Sequence, residues 1–251
     1  MKIDLNLSKP LMNAAGSLGF APEARGALDL SHLGAFITNP ISLGERSPAR
    51  GRRYLPFPGG FLLHTGYPNP GLKTAIRRYA ARWRRSPLPV LVHLLPQSPQ
   101  EAAQMVQRLE AVEGIAGVEI SLPLHADGQA ALAFSQASRG ELPVVLRLPL
   151  EGATALVPHI ASAGLAGISL APPRGALPLP HGNIVHGRLY GPAIFPLALA
   201  VVQALGRSGI PVIAAGGVYR PEQVDALLQA GAAAVQLDSV LWQGGYEFTV
   251  R

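Results

Sequence analysis

Ile210-Pro-Val-Ile-Ala-Ala-Gly-Gly217 is an apolar run closed by two glycines, and Ala233-Ala-Val-Gln-Leu-Asp-Ser239, one helix-length later, is a second apolar run closed by small and polar residues. Between them Pro221 opens a helical stretch that stops before Gly231, with proline in the first turn and glycine just past the end, as helices prefer. A run that is apolar without alternation reads as a strand buried on both faces, which is the condition of a parallel sheet flanked by helices. The same unit can be traced backwards through the chain. Further strands are expected at residues 11–14, 35–38, 90–94, 117–121, 144–148 and 167–170, which with 212–215 and 234–237 make eight. Helical patterns fall between them, at residues 99–112 and 196–205 among others. Eight strands alternating with helices in 251 residues predict a single (β/α)8 TIM barrel domain over residues 1–251.

Two stretches depart from the alternation and read as insertions after strands 2 and 6. Residues 44–89 carry an arginine-rich loop (Arg46, Arg50, Arg52, Arg53), a Pro/Gly segment and a helix near 71–85. Residues 172–191 are rich in Pro and Gly and hold His181 and His186. Long loops after barrel strands build the mouth of the active site, so both are expected to lie over it. The helix near 71–85 places Ile76, Tyr79, Ala80 and Trp83 on one face, amid six cations. Aromatics confined to the apolar stripe point to packing, so nucleic acid is not an expected partner.

Composition excludes several classes. Hydrophobic residues make up 48% of the chain and charged ones 14%, which rules out a disordered or coiled-coil protein. There is no cysteine, so disulfides, thiolate metal sites and a cysteine nucleophile are excluded. No HExxH pattern or close histidine pair suggests a metal. The net charge is +6, and only Lys2, Lys9 and Lys73 of the 21 basic residues are lysine. Arginine forks suit carboxylate or phosphate partners, although a GC-rich genome would spell its basic surface the same way. The N-terminus has no long apolar stretch of signal-peptide type, and no uninterrupted apolar run spans a membrane; a cytoplasmic protein with a small-molecule substrate is expected.

The glycines after the last two strands carry the functional reading. In barrels, the loops there present backbone N–H groups to a phosphate, and glycine lets the backbone approach closely. The plainer reading of the same glycines is a tight strand-to-helix turn.

Gly-Arg-Leu-Tyr-Gly-Pro-Ala-Ile-Phe-Pro-Leu-Ala (187–198), followed by this pair of strands, resembles the C-terminal half of the dihydroorotate dehydrogenase family. Pro-Leu-Met-Asn-Ala-Ala-Gly (10–16), Gly-Ala-Phe-Ile-Thr-Asn (34–39) and Leu-His-Thr-Gly-Tyr-Pro-Asn-Pro-Gly (63–71) are similar to other segments of it, in the same order. The resemblance implies an FMN-binding barrel of the soluble branch, often a homodimer, that oxidises dihydroorotate to orotate in pyrimidine biosynthesis. It places the cofactor against Ala14, Ala15, Gly16, Asn39, Arg147, Gly191, Gly216, Gly217, Asp238 and Ser239.

The departures are selective. The family's Asn-x-Ser-Cys/Ser-Pro-Asn stretch, which supplies the base, reads Glu119-Ile-Ser-Leu-Pro-Leu124 here. Leu122 stands at the base position and cannot accept a proton, and Glu119 and Leu124 replace the two substrate asparagines. Asn39 replaces a lysine, Leu63 a substrate asparagine, and Asp238 the glycine of a Gly-Thr phosphate pair, while Arg147 keeps a cation where the family has lysine. A further family asparagine aligns near Ser169 or Leu170. Candidates to take the place of the base are His93 and His125, with His64 and Asp127 nearby, because histidine titrates near neutrality. Three functions follow: an FMN oxidoreductase acting on a CH–CH group of an altered substrate; a family member that has lost dihydroorotate oxidation and binds FMN or another phosphate ligand, or serves as a partner subunit; or an isomerase or lyase barrel that kept only the phosphate cradle.

Overall fold

The computed structural model describes residues 5, 7–23, 29–180 and 182–242. Along the chain lie β1 (Leu11–Asn13), β2 (Phe36–Ile37), β3 (Tyr54–Phe57), β4 (Gly60–Leu63), α1 (Leu72–Arg84), β5 (Val90–Leu94), α2 (Pro99–Glu110), β6 (Ile115–Ser121) and α3 (Gly128–Ala137). They are followed by β7 (Val144–Pro149), α4 (Ala153–Ile160), β8 (Gly167–Ala171), β9 (Arg174–Pro178), β10 (Ile184–Tyr190), α5 (Phe195–Leu205), β11 (Val212–Ala215), α6 (Pro221–Gln229) and β12 (Ala234–Leu237).

Eight strands pair in parallel in the order β1-β12-β11-β8-β7-β6-β5-β2. A parallel bridge between Met12 and Ala35 brings β1 against β2 and closes the barrel. Each expected strand is present within a few residues of its expected bounds. The apolar residues divide by the period of two along each strand. Met12, Ala35, Ile37, Leu91, Val145, Ile213 and Ala234 point inward and fill the barrel's lower interior. Their neighbours, such as Leu11, Phe36, Val92, Leu146 and Val235, face the helices. Helix ends follow local chemistry: Ser98 caps α2 by accepting from Glu101 N, and Asp127 caps α3 by accepting from Ala130 N.

The insertions after the second and sixth barrel strands are present, and they hold secondary structure that composition did not suggest. The hairpin β3–β4 and the hairpin β9–β10 join through antiparallel pairing of β4 with β10 into one sheet, β3-β4-β10-β9. The Pro58-Gly59 turn makes the first hairpin. One expectation needs correction: α1 does not cover the mouth. A Cβ added at Gly114, just before β6, would meet the backbone of Trp83 and Arg84, so α1 runs down the outside of the barrel as a ring helix. Its aromatics are used in packing: Trp83 is buried and donates from Nε1 to Phe20 O at 2.7 Å, and Tyr79 stacks on Phe20. No helix among the described residues is long and apolar enough to cross a membrane.

Candidate functional site

Two residues above the inward-facing apolar layer, the barrel interior turns polar. Leu91 is followed at the next inward position by His93, Val145 by Arg147 and Ala234 by Gln236. Glu119 on β6 pairs in register with His93, and Ser169 on β8 pairs with Arg147. All five are buried, Glu119 completely. Its carboxylate gathers the others: Oε2 lies 2.5 Å from His93 Nδ1 and 3.4 Å from Arg147 Nη1, while Oε1 accepts from Ser169 Oγ and Gln236 Nε2, both at 2.6 Å.

A buried carboxylate is tolerable only with such partners. Burial alone would raise the Glu119 pKa, but the Arg147 cation and the His93 and Ser169 hydrogen bonds more than offset it and hold it at about 2. Burial pushes His93 below the ordinary imidazole value despite its carboxylate neighbour, so the ring is neutral. Gln236 Oε1 has no hydrogen-bond partner among the described residues.

Above this layer opens a cavity of about 910 Å3. Ser121, two residues beyond Glu119, lies in its wall and bonds His93 Nε2 at 3.0 Å. Arg46, Arg147, Arg174 and Arg188 also line it, with His64, His125 and His186; Glu151 is the one carboxylate among the described residues of the lining. Arg188 is held rigidly: its guanidinium lies 3.8 Å from the Tyr67 ring centroid and donates to Tyr190 Oη at 3.1 Å and Thr65 Oγ1 at 3.0 Å. The two non-glycine residues with positive φ among the described ones, Tyr67 at 54° and His125 at 64°, both line this cavity. Such conformations gather at ligand sites, where the surroundings hold them.

The expected site residues divide sharply. Of the expected cofactor residues, Arg147 alone lines the cavity. His93 is buried beneath it and reaches it through Ser121, whereas His125 stands exposed at its rim. Asp127 is used as a helix cap. Ala14 and Ala15 are buried in the barrel wall, Gly16 adopts φ 96° in the turn after β1, and Asn39 Oδ1 accepts from Gly19 N, tying down that loop. His181 lies outside the described residues.

Gly191, Gly216 and Gly217 adopt positive φ, and a Cβ at Gly191 would strike the Gly59–Gly60 backbone. One at Gly217 would strike the Phe195 backbone at the start of α5. Ser239 Oγ bonds the Tyr219 hydroxyl at 2.8 Å. Beside it, burial raises the Asp238 carboxyl to about 7, against the pull of Arg147 and Arg188.

The family model for dihydroorotate dehydrogenase matches residues 2–146, more than half of the chain. The chain belongs to the dihydroorotate dehydrogenase family. A second family model, nitronate monooxygenase, matches residues 187–242. The catalytic subunit of the NAD(+)-linked dihydroorotate dehydrogenase B of Pelobacter propionicus is 29% identical, over 93% of this chain and 84% of the relative. Its counterpart in Desulforudis audaxviator is also 29% identical, over 92% and 82%. In architecture, the ligand-free dihydroorotate dehydrogenase of Eimeria tenella superimposes with a TM-score of 0.76 at 13% identity, over 94% of this chain and 80% of that one. These names describe dehydrogenases, and the family is one of oxidoreductases.

Proposed function

We propose that this member of the family is a one-domain enzyme acting on a small carboxylate- or phosphate-bearing molecule, and that dihydroorotate is not its substrate. The observation that carries this reading is the cavity wall, where four arginines face one glutamate. Guanidinium forks bind such anions bidentately, and in a half-enclosed site each charge-assisted bond is stronger than in water. Leu63, Leu122 and Leu124 line the same cavity at the positions where the resemblance puts amides and a base. Each apolar replacement leaves a polar edge of dihydroorotate unpaired, at about 1–3 kcal/mol apiece.

The family resemblance implies FMN as the hydride acceptor for oxidation at a CH–CH group, and Arg147 would lie beside its ring. The residues expected at the phosphate end do not fit that group as arranged here. The Tyr219 hydroxyl engages Ser239, the Phe195 backbone packs against Gly217, and a carboxyl stands at Asp238. An ionised carboxylate beside a phosphate repels it, so a phosphate could sit there only with the Asp238 carboxyl, raised to about 7, holding its proton. This mismatch favours a second reading, in which flavin oxidation has been lost and the cavity serves a flavin-free reaction.

The deciding experiment is the visible absorbance of the purified protein before and after incubation with FMN, followed by a dihydroorotate assay with several electron acceptors. A yellow protein inactive on dihydroorotate supports an oxidoreductase with an altered substrate. A colourless protein that takes up no FMN supports the second reading. Robust dihydroorotate turnover refutes both. The cytoplasm and a homodimer remain the compartment and assembly this reading implies; light-scattering mass tests the dimer against a monomer or a complex with a second subunit.

A further inference from the structure

Ser121 is the serine that this chain shares with the family stretch, but its bond to a buried His93–Glu119 pair is nothing that the resemblance supplies. Ser121 Oγ lies 3.0 Å from His93 Nε2, and His93 Nδ1 lies 2.5 Å from Glu119 Oε2. The proton positions follow from the surroundings. Glu119 receives hydrogen bonds from Arg147, Ser169 and Gln236, so it acts as an acceptor on every side. The proton it shares with His93 therefore belongs to Nδ1. In a neutral ring this leaves Nε2 with a lone pair, and Ser121 must donate to it. A serine hydroxyl aimed at an imidazole whose far nitrogen is fixed by a buried carboxylate is the arrangement that makes serine nucleophilic, whatever the fold that carries it.

Access agrees with this order. Ser121 lines the cavity, whereas His93 and Glu119 lie behind it with 1% and 0% exposure. Arg147, the register partner of Ser121 on the neighbouring strand, lines the cavity too. We propose that Ser121 is a nucleophile and that the cavity hydrolyses an ester whose acyl part carries a carboxylate or phosphate. The proposal rests on the flavin-free reading above.

The steps balance without any redox partner. Ser121 Oγ bonds to the ester carbonyl carbon as its proton passes to His93 Nε2. The carbonyl π pair moves to oxygen, and the Arg147 cation faces that developing charge. Collapse breaks the carbon–oxygen bond to the alcohol, which leaves with the proton from His93. Water then attacks the acyl-serine, giving its proton to His93; Ser121 recovers that proton as the acid departs. Glu119 stays ionised throughout, fixing the ring tautomer. Arg46, Arg174 and Arg188 hold the anionic end, and Leu122 faces the uncharged part of the chain.

The test is intact-protein mass after treatment with a fluorophosphonate, with the adduct mapped by peptide mass spectrometry. Hydrolysis of the 4-nitrophenyl monoester of succinic acid is followed beside that of 4-nitrophenyl acetate. One adduct at Ser121 is expected, absent in Ser121→Ala, together with preferential hydrolysis of the anionic ester that this variant loses. His93→Gln should slow labelling by about 10²–10⁴-fold, the range for removing a general base. Should His93→Gln fail to fold, Ser121→Ala, which deletes a single oxygen, carries the test with circular dichroism as its folding check. No adduct at Ser121 in folded protein, or ester hydrolysis unchanged in Ser121→Ala, overturns the proposal. Flavin content is measured on the same sample. Labelling of a flavin-loaded protein would uphold the serine and refute the flavin-free reading, and an unlabelled flavin-free protein would do the reverse.

Discussion

Exchanging Glu119 for glutamine alters almost no volume and removes the one anion at the centre of the barrel's polar layer. The cost can be worked from its four contacts. Arg147, 5% exposed, loses the carboxylate it pairs with at 3.4 Å. Removing one partner of a buried pair typically costs about 3–5 kcal/mol, because the other charge remains without water. The glutamine oxygen still accepts from one side of the layer, while its NH2 faces donors. Rotation of the Gln236 amide would turn its unpartnered Oε1 toward that NH2 and recover about 1 kcal/mol. The expected net loss is about 3 kcal/mol, a large part of the roughly 5–15 kcal/mol that holds a domain together. Urea unfolding followed by circular dichroism measures it. The double variant Glu119→Gln/Arg147→Met, which withdraws the stranded cation, should recover more than half of the loss. A single variant within about 0.5 kcal/mol of the parent, or a double variant less stable than the single, would refute the account of the layer as one charge-compensated unit.

Asp238, raised from 3.8 to about 7, keeps its proton in the folded chain after the unfolded chain has lost it, so its contribution is present below about pH 4 and is lost as pH rises toward 7. That corresponds to at most roughly 4 kcal/mol, and the partial solvent access of the carboxyl should bring it to about half. Asp238→Asn should therefore raise the urea midpoint at pH 8 and leave it nearly unchanged at pH 4; equal shifts at both pH values would contradict this. Glu119, lowered from 4.5 to about 2, gives the opposite limb: stability present above 4.5 and lost as pH falls toward 2, a limb that Glu119→Gln should flatten in an acid titration. Gly217→Ala, at φ 70° with its Cβ driven into the Phe195 backbone, should cost about 2–4 kcal/mol equally with and without inorganic phosphate. A loss confined to phosphate-induced stabilisation would support the ligand-cradle role instead. Trp83→Ala should lose about 3–5 kcal/mol in a thermal melt, since the ring is 1% exposed and its Nε1 proton is satisfied by Phe20 O.

The barrel was legible because its strands are buried on both faces and so read as unbroken apolar runs, as at Val212–Ala215. The mouth was not. In β9 the run Arg-Gly-Ala-Leu-Pro shows neither an apolar stretch nor β-branched residues, and β10 carries His186, Gly187 and Arg188. These strands exist because they pair with each other and with β4, a long-range fact that composition does not carry. The site shows the same divide. His93 attracted attention as a candidate base, and Glu119, Arg147 and Ser169 through comparison with the family pattern, each singly. Their convergence depends on strand register, which places Glu119 opposite His93 and Arg147 opposite Ser169. A signal was there to find: on several strands a polar residue interrupts the apolar run two positions above a core residue. Ser121 was read only as a neighbour of the vacant base position, because its bond to His93 joins different strands. The glycine pair after β11 pointed to a ligand, and its positive φ angles and the lack of room for a Cβ at Gly217 suit a tight strand-to-helix turn as well as a close backbone approach.

The sheet over the mouth is stitched from both halves of the polypeptide. The hairpin β3–β4 belongs to the first half of the barrel and β9–β10 to the second, and Tyr190 opposite Phe61 and Arg188 opposite Leu63 form the seam. Suppose the chain were expressed as two polypeptides divided between α3 and β7. Each fragment would then carry a two-stranded ribbon with an unpaired edge, the kind of surface that recruits another strand. The ribbons would act as a clasp that draws half-barrels together in one register, and Arg46 and Arg188, one from each fragment, would face a common space only once it had fastened. Anion capture by such a split pair would report reassembly directly. The same clasp marks where a half-barrel from another chain could be grafted, provided its ribbon offers a matching edge.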